Sequence, residues 1–270
     1  MRKFAANHQL VTFYGITFLI SWTAWLIMSL VYDGTQTSII VYAFSTIGGL
    51  GPLLSLAILQ RITKEEISLK EILSQIRFKD WKNIWIVAAI VTIPLLSILG
   101  NLFRFLTDGE VQLQIIKSGP DELGIFVILV IIIHFAASLI TSPLFEEPGW
   151  RGFALPRLQN KFGRTLGSLV VAVLWWLWHQ PMNLTFGLEP TLHSALSMIV
   201  LSLIIDSLFN LSGGNLLAAM LAHQSYGTVF TFIYEGEQNW ITLGLRVLFL
   251  VVIRAIEYQH ARKSPMAIPV

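Results

Sequence analysis

The residues of this chain that could do chemistry are few and far apart. The stretch LFEEPGWR (144–151) carries Glu146, Glu147 and Arg151, LWWLWHQP (174–181) carries His179, and NLLAAMLAHQSYG (215–227) carries His223. One carboxylate and two imidazoles are the inventory for activating water. They can do so as a general base with oxyanion stabilisers, or as a His₂Glu zinc site with one open position, in which Glu146, His179 and His223 would be the ligands. Glu147 and Arg151 stand at i and i+4, a favourable pairing on a helix, and Glu146 is rotated about 100° away from Glu147. This arrangement gives Glu147 and Arg151 a structural pairing and leaves Glu146 as the base. Pro148 opposes it locally, because a residue before proline is pushed out of helical geometry. The plainer alternative is an acidic pair that neutralises nearby arginines at a membrane edge.

Which alternative holds depends on the elements that carry these residues. Of the 270 residues 54% are hydrophobic and only 13% charged, and the mean hydropathy is +0.68. Such a chain cannot hide its apolar surface in one water-soluble core, so lipid must be part of its solvent. The net charge of +2 is too small to indicate a nucleic-acid partner. The absence of cysteine excludes disulfides, iron–sulfur ligation and thiol catalysis. The basic start MRKFAANHQL precedes an apolar run too long for a signal-peptide core, which reads as a retained anchor.

A spanning helix needs about 20 mostly apolar residues. That template predicts an all-α polytopic membrane protein of about eight helices, near 11–31, 39–59, 83–103, 124–146, 165–182, 192–210, 215–234 and 239–257. The whole of 1–270 reads as a single membrane domain. Fifteen of the 18 Lys and Arg residues fall in the loops of one side, all but Arg104, Lys117 and Arg246. By the positive-inside rule both termini are then cytoplasmic. The loops YDGTQTS and YEGEQN opposite carry no Lys or Arg. The polar segment RITKEEISLKEILSQIRFKDWKN spaces Ile67, Leu69, Ile72, Leu73 and Ile76 as an amphipathic surface helix would; a solvated connector is the alternative.

Depth favours chemistry over the plainer reading. Counting back eleven residues from Arg157, beside the NKFGR turn, puts Glu146 about 16 Å along a helix, inside the hydrocarbon layer, level with His223 on its own span. A straight helix over 124–157 would be about 50 Å long, so it must bend, tilt or protrude, and Pro143, Pro148 and Gly149 supply the means. Intramembrane ionisable groups are costly and point to function. His134 reads as a core histidine, Asp206 and Asn210 as an interhelical polar contact, and His8, His193 and His260 have no evident partner.

EEPGWR with the following GFALPRLQ, then WWLWH (Trp175 to His179), then the late His223, together resemble the CPBP family. These are the CAAX protease and bacteriocin-processing (Abi) intramembrane endopeptidases related to the prenyl-protein endopeptidase Rce-one. The likeness covers roughly 120–235, which would be the catalytic core. It implies cleavage of a peptide bond at membrane depth, in a bacterial plasma membrane, with a peptide or membrane protein as substrate. Glu146 and His179 would activate the water, Glu147 and Arg151 would hold the motif, and His223 would stabilise the oxyanion. No cofactor is required in this reading; zinc is the alternative. Trp175 stands where the family often has phenylalanine. Gly227 stands where its third motif, HxxxN, has asparagine, so Asn183, Ser225 or Tyr226 would have to supply the missing polar group. A non-catalytic immunity or scaffold protein and a proton-coupled transporter are the competing readings.

Overall fold

The computed structural model describes residues 2–34, 38–64, 67–80, 83–108, 126–232 and 239–263, and every element among them is helical. In chain order these are α1 (Arg2–Asn7), α2 (Gln9–Val31), α3 (Ile39–Gly49), α4 (Gly51–Thr63), α5 (Leu69–Leu73), a 3₁₀ turn (Phe78–Asp80), α6 (Ile84–Asp108), α7 (Phe126–Leu139), α8 (Ser142–Glu147), a π-helix (Pro148–Ala154), α9 (Leu155–Phe162), α10 (Arg164–Trp178), α11 (Gln180–Thr185), α12 (Leu192–Leu211), α13 (Leu216–Phe232) and α14 (Trp240–Lys263). Lys82, Lys117, parts of the YDGTQTS and YEGEQN loops and the span edges at 124–125 and 233–234 lie outside the described residues.

Helices occupy all eight expected segments, and the chain is a multi-pass membrane protein. By length and composition, four described helices are suited to crossing a bilayer: Gln9–Val31, Ile84–Thr107, Phe126–Phe162 and Leu192–Leu211. A fifth follows if α3 and α4, bent by 49° at Leu50, count as one span. The other three segments fall short of that standard. α10 has 15 residues and α13 has 17, while α14 carries Arg246, Arg254 and Glu257 along its length. The amphipathic segment is also shorter than its periodicity suggests. Between the end of α4 and the 3₁₀ turn, the described α-helix is just Leu69–Leu73, N-capped by Ser68 through the Glu71 amide. Its Ile67 and Ile72 are buried, because α5 packs against α4 and the π-helix; it is not a free surface helix.

The chain folds as two compact units. Among the described residues, the first comprises those within 1–76 and 144–202. Here α2 packs on α3, α4 and α11, and α9 and α10 form an antiparallel hairpin. The hairpin turns at Gly163, whose φ of +82° is a left-handed conformation suited to glycine. It closes tightly, because a Cβ at Gly167 would meet the backbone of Leu158 and Gln159 at 2.6 Å and 2.5 Å, and Gln159 donates to Ser168 Oγ across it. The π-helix lies equally close to its neighbours, Phe13 of α2 and Pro52 of α4.

The second unit comprises residues 77–143 and 203–267, with α13 packed on α6 and α7 and α14 on α6. The turn ahead of α13 is clasped from one side. Arg77 N–H donates to Asn215 Oδ1 and Asn215 Nδ2 donates back to Arg77 O, both at 3.0 Å. The Arg77 guanidinium meanwhile reaches the carbonyls of Gly213 and Gly214, where a cation suits the C-terminal end of α12. Asn210 does make an interhelical contact, but with Glu257 of α14 at 2.7 Å, and Glu257 also binds Arg254. His134 is half-buried edge-on against Phe232, not enclosed in a core.

A Cβ at Gly149 would lie 2.7 Å from Pro52 Cβ and 3.0 Å from the Phe13 ring. Gly149→Ala is therefore expected to lower stability by about 1–3 kcal/mol through overpacking, whereas Gly15→Ala, with nothing within 4 Å, should be close to neutral. Unfolding midpoints of the two variants in detergent check this, and equal midpoints would refute the close approach.

Candidate active site

The first motif sits where an α-helix gives way to a wider turn. α8 ends at Glu147, and Pro148–Ala154 winds as a π-helix. Glu147 keeps helical dihedrals (φ −61°, ψ −34°), contrary to the expectation that Pro148 would displace it. The wider coil relieves the clash that proline imposes on a regular turn. Both glutamates thus stay on one helical path, and the expected separation of roles appears in their contacts.

Glu147 faces Arg151. Arg151 Nη1 donates to Glu147 Oε1 at 3.1 Å, and both side chains are fully enclosed. The same guanidinium donates through Nη2 to Ser202 Oγ at 2.6 Å and lies over the Trp175 ring at 5.2 Å. Three elements, the π-helix, α12 and α10, are pinned by one cation. The i, i+4 spacing marks this pair, but nothing local marks Ser202, which lies 51 residues away as one of four serines on α12.

Glu146 faces α10. Trp175 Nε1 donates to Glu146 Oε2 at 2.9 Å, and His179 Nε2 lies 4.0 Å from that same oxygen. His179 stands at the junction of α10 and α11, with Pro181 two residues on. There the backbone tightens: His179 N–H bonds Trp176 O, three residues back. The carbonyl four residues back, Trp175 O, meets the His179 ring at Nδ1, 2.7 Å away. A carbonyl only accepts, so Nδ1 is the protonated nitrogen and, in the neutral ring, Nε2 is an acceptor. The expected unbroken span over 165–182 thus stops one residue before the histidine, and Pro181 is the signal for it.

The ring is walled by aromatics. Trp178 and Trp175 approach it edge-on at 4.7 Å and 4.8 Å, and Trp25 of α2 stacks at 6.4 Å. Trp178 in turn contacts Trp25 and Trp150, and its carbonyl accepts from Trp22 Nε1 at 3.1 Å. Helix α2, which carries no catalytic residue in any reading, therefore fixes the place of His179.

The remaining site candidates divide by unit. Asn183 lies one turn beyond His179 on α11 and is half-buried. His223 is buried on α13 of the second unit. Ser225 hydroxyl lies within 3.1 Å of the carbonyls of Leu221, Ala89 and Ile90, so it ties α13 to α6. Tyr226 meets Arg246, whose guanidinium is 5.8 Å from the ring and donates to Ser97. A Cβ at Gly227 would have only Gln224 within 4 Å. Among the described residues no three His, Cys, Asp or Glu side chains are grouped so as to hold a metal ion.

Residues 126–229, which contain all three motifs, match the family model described as type II CAAX prenyl endopeptidase Rce1-like. CAAX prenyl protease 2 of Methanococcus maripaludis is 39% identical over 44 residues, 16% of each chain. Lysostaphin resistance protein A of Staphylococcus haemolyticus is 24% identical over 187 residues, 64% of this chain and 48% of that protein. The chain thus spans less than half the length of these curated relatives. The segment that matches the family model falls in both units, with 144–202 in the first and the flanking stretches in the second.

Leaving one partner of a buried ion pair alone typically costs about 3–5 kcal/mol. Arg151→Met is expected to fall in that range, and the double change Glu147→Leu with Arg151→Met to cost clearly less. Unfolding of Arg151→Met, Glu147→Leu and the double variant in detergent tests this; a double variant as unstable as the sum of its two singles would show no coupling.

Proposed function

We propose that this protein is an intramembrane endopeptidase in which Glu146 and His179 activate the attacking water. The observation that carries the reading is the 4.0 Å separation of Glu146 Oε2 and His179 Nε2. It is too long for a direct hydrogen bond and about the span that one water covers when it donates to two acceptors at ordinary lengths. With Nδ1–H engaged by Trp175 O, both groups facing the gap accept protons. A water held there has its oxygen lone pairs turned outward, toward a substrate carbonyl.

The chemistry follows from that orientation. The water oxygen bonds to the carbonyl carbon, its proton passes to Glu146, and the carbonyl electron pair moves to oxygen. On collapse the C–N bond breaks, and the proton on Glu146 passes to the departing amine. His179 orients the water and shares its second proton. In the family reading His223 stabilises the oxyanion, and Glu147 with Arg151 holds the turn that carries Glu146. The substrate class is a peptide or a membrane-associated protein, and the setting is a bacterial plasma membrane with the basic loops cytoplasmic and about eight crossings. The similarity to a CAAX prenyl endopeptidase family model supports the reaction class; whether a prenyl group is recognised is a separate matter of substrate.

Glu146→Gln and His179→Ala are each expected to abolish cleavage while the protein stays in the membrane, read by comparing new peptide N-termini in membranes of expressing cells. Cleavage that persists in both variants would sink the mechanism, and cleavage lost on chelation and regained with zinc would replace it with a metal one. Gly227 favours a second reading, a non-catalytic relative, since the loss of one oxyanion donor typically costs about 10²–10³ in rate. Its surroundings admit a side chain, so Gly227→Asn should fold normally. An enzyme limited by the missing amide would gain rate of that order, and a non-catalytic protein would gain none.

A further inference from the structure

Trp175 touches both halves of the first motif. Its carbonyl fixes the tautomer of His179, its ring lies under Arg151, and its indole N–H holds Glu146 Oε2. Phenylalanine, the residue the family often has here, would supply the first two contacts but not the third. The third selects which carboxylate oxygen stands opposite His179 Nε2, because Oε2 both accepts from the indole and lies across the 4.0 Å gap.

We propose that Trp175 is a positioning residue whose indole N–H orients the Glu146 carboxylate toward His179, a task phenylalanine at this place could not perform. The inference rests on the endopeptidase reading above. Glu146 is on a short helix that opens into a π turn, and its side chain has three rotatable bonds. A hydrogen bond to a charged acceptor from a rigid, enclosed donor removes the rotamers that turn the carboxylate away. Trp175 is itself immobilised, being 1% exposed and held between Arg151 and the His179 ring. The donor is therefore preorganised, and the geometry of the water site follows from α10 and not from the flexible acid alone.

The experiment replaces the N–H and keeps the ring. Trp175→Phe removes the donor, and benzothienylalanine at 175, an isostere with sulfur in place of N–H, removes it without changing shape. The rate at which Glu146-dependent new N-termini appear in membranes of expressing cells is expected to fall about tenfold to a hundredfold in both, as for a misplaced reacting group. A spectroscopic arm needs no substrate. The ¹⁵N–¹H indole resonance lost in Trp175→Phe identifies residue 175, and it should move upfield in Glu146→Gln, where the acceptor is weaker.

The outcomes separate cleanly. If Glu146→Gln abolishes the new N-termini but both replacements at 175 run within twofold of the parent, the positioning role is overturned and the endopeptidase reading stands. If Trp175→Phe is slow or unfolded while the sulfur isostere is at the parent rate, ring volume is what matters and the inference fails. An indole resonance indifferent to Glu146→Gln overturns it as well. If Glu146→Gln leaves the N-termini unchanged, the endopeptidase reading falls, and this inference falls with it.

Discussion

A guanidinium enclosed in an apolar fold has to be surrounded by acceptors, and that requirement organises the first unit of this protein. Arg151 is satisfied by Glu147 on its own turn, by Ser202 on α12 and by the face of Trp175 on α10. Each partner comes from a different stretch of chain, so the cation can be buried only when all three are in place. The site next door inherits that order, since Trp175 also holds Glu146 and, through its carbonyl, His179. The buried ion pair and the Glu146–His179 pair are thus coupled through one indole. The cost of burying the charge is offset by contacts that also fix Glu146 and His179.

The helical departures serve the same end. The π-helix gives Pro148 and Gly149 room to pass Pro52 and Phe13 while keeping Glu146 and Glu147 consecutive on helical backbone. The break before Pro181 frees the Trp175 carbonyl for an imidazole. Both are places where a regular helix would have satisfied its backbone internally and left nothing for side chains. The aromatic wall of Trp25, Trp150 and Trp178 then excludes alternative rotamers of His179 by volume alone.

Much of this was legible in the residues. Scarce charge and long apolar runs indicated a helical membrane protein. The i, i+4 spacing of Glu147 and Arg151 foretold their pairing, and NKFGR foretold the α9–α10 turn. What could not be read came from contacts distant in sequence. Ser202 is one serine among several on an apolar helix, and nothing local marks it as the partner of Arg151. The clasp of Arg77 on Asn215 joins residues 138 apart. The dihedrals of Glu147 went against its local preference because the turn after it widened, which no pairwise rule foresees. The segment around α5 shows the opposite error: its periodicity was real, but α5 packs on α4 and the π-helix, and Ile67 and Ile72 are buried. Counting from the Gly213–Gly214 turn placed His223 on its helix, α13.

The division of the chain has a bearing on how the molecule is made. Residues 1–76 belong with 144–202, and 77–143 belong with 203–267, so the two units are interleaved along the polypeptide. During synthesis α2, α3 and α4 emerge long before the π-helix and α10 that they support, and α6 precedes its partner α13 by a similar interval. The early helices must wait in the bilayer without their polar partners, and the apolar exterior of α2 suits such a wait. Excision of 126–229 alone would leave both units short of the helices that enclose them. The matched segment therefore draws its packing partners, α2 and α4 in one unit and α6 in the other, from outside its own bounds.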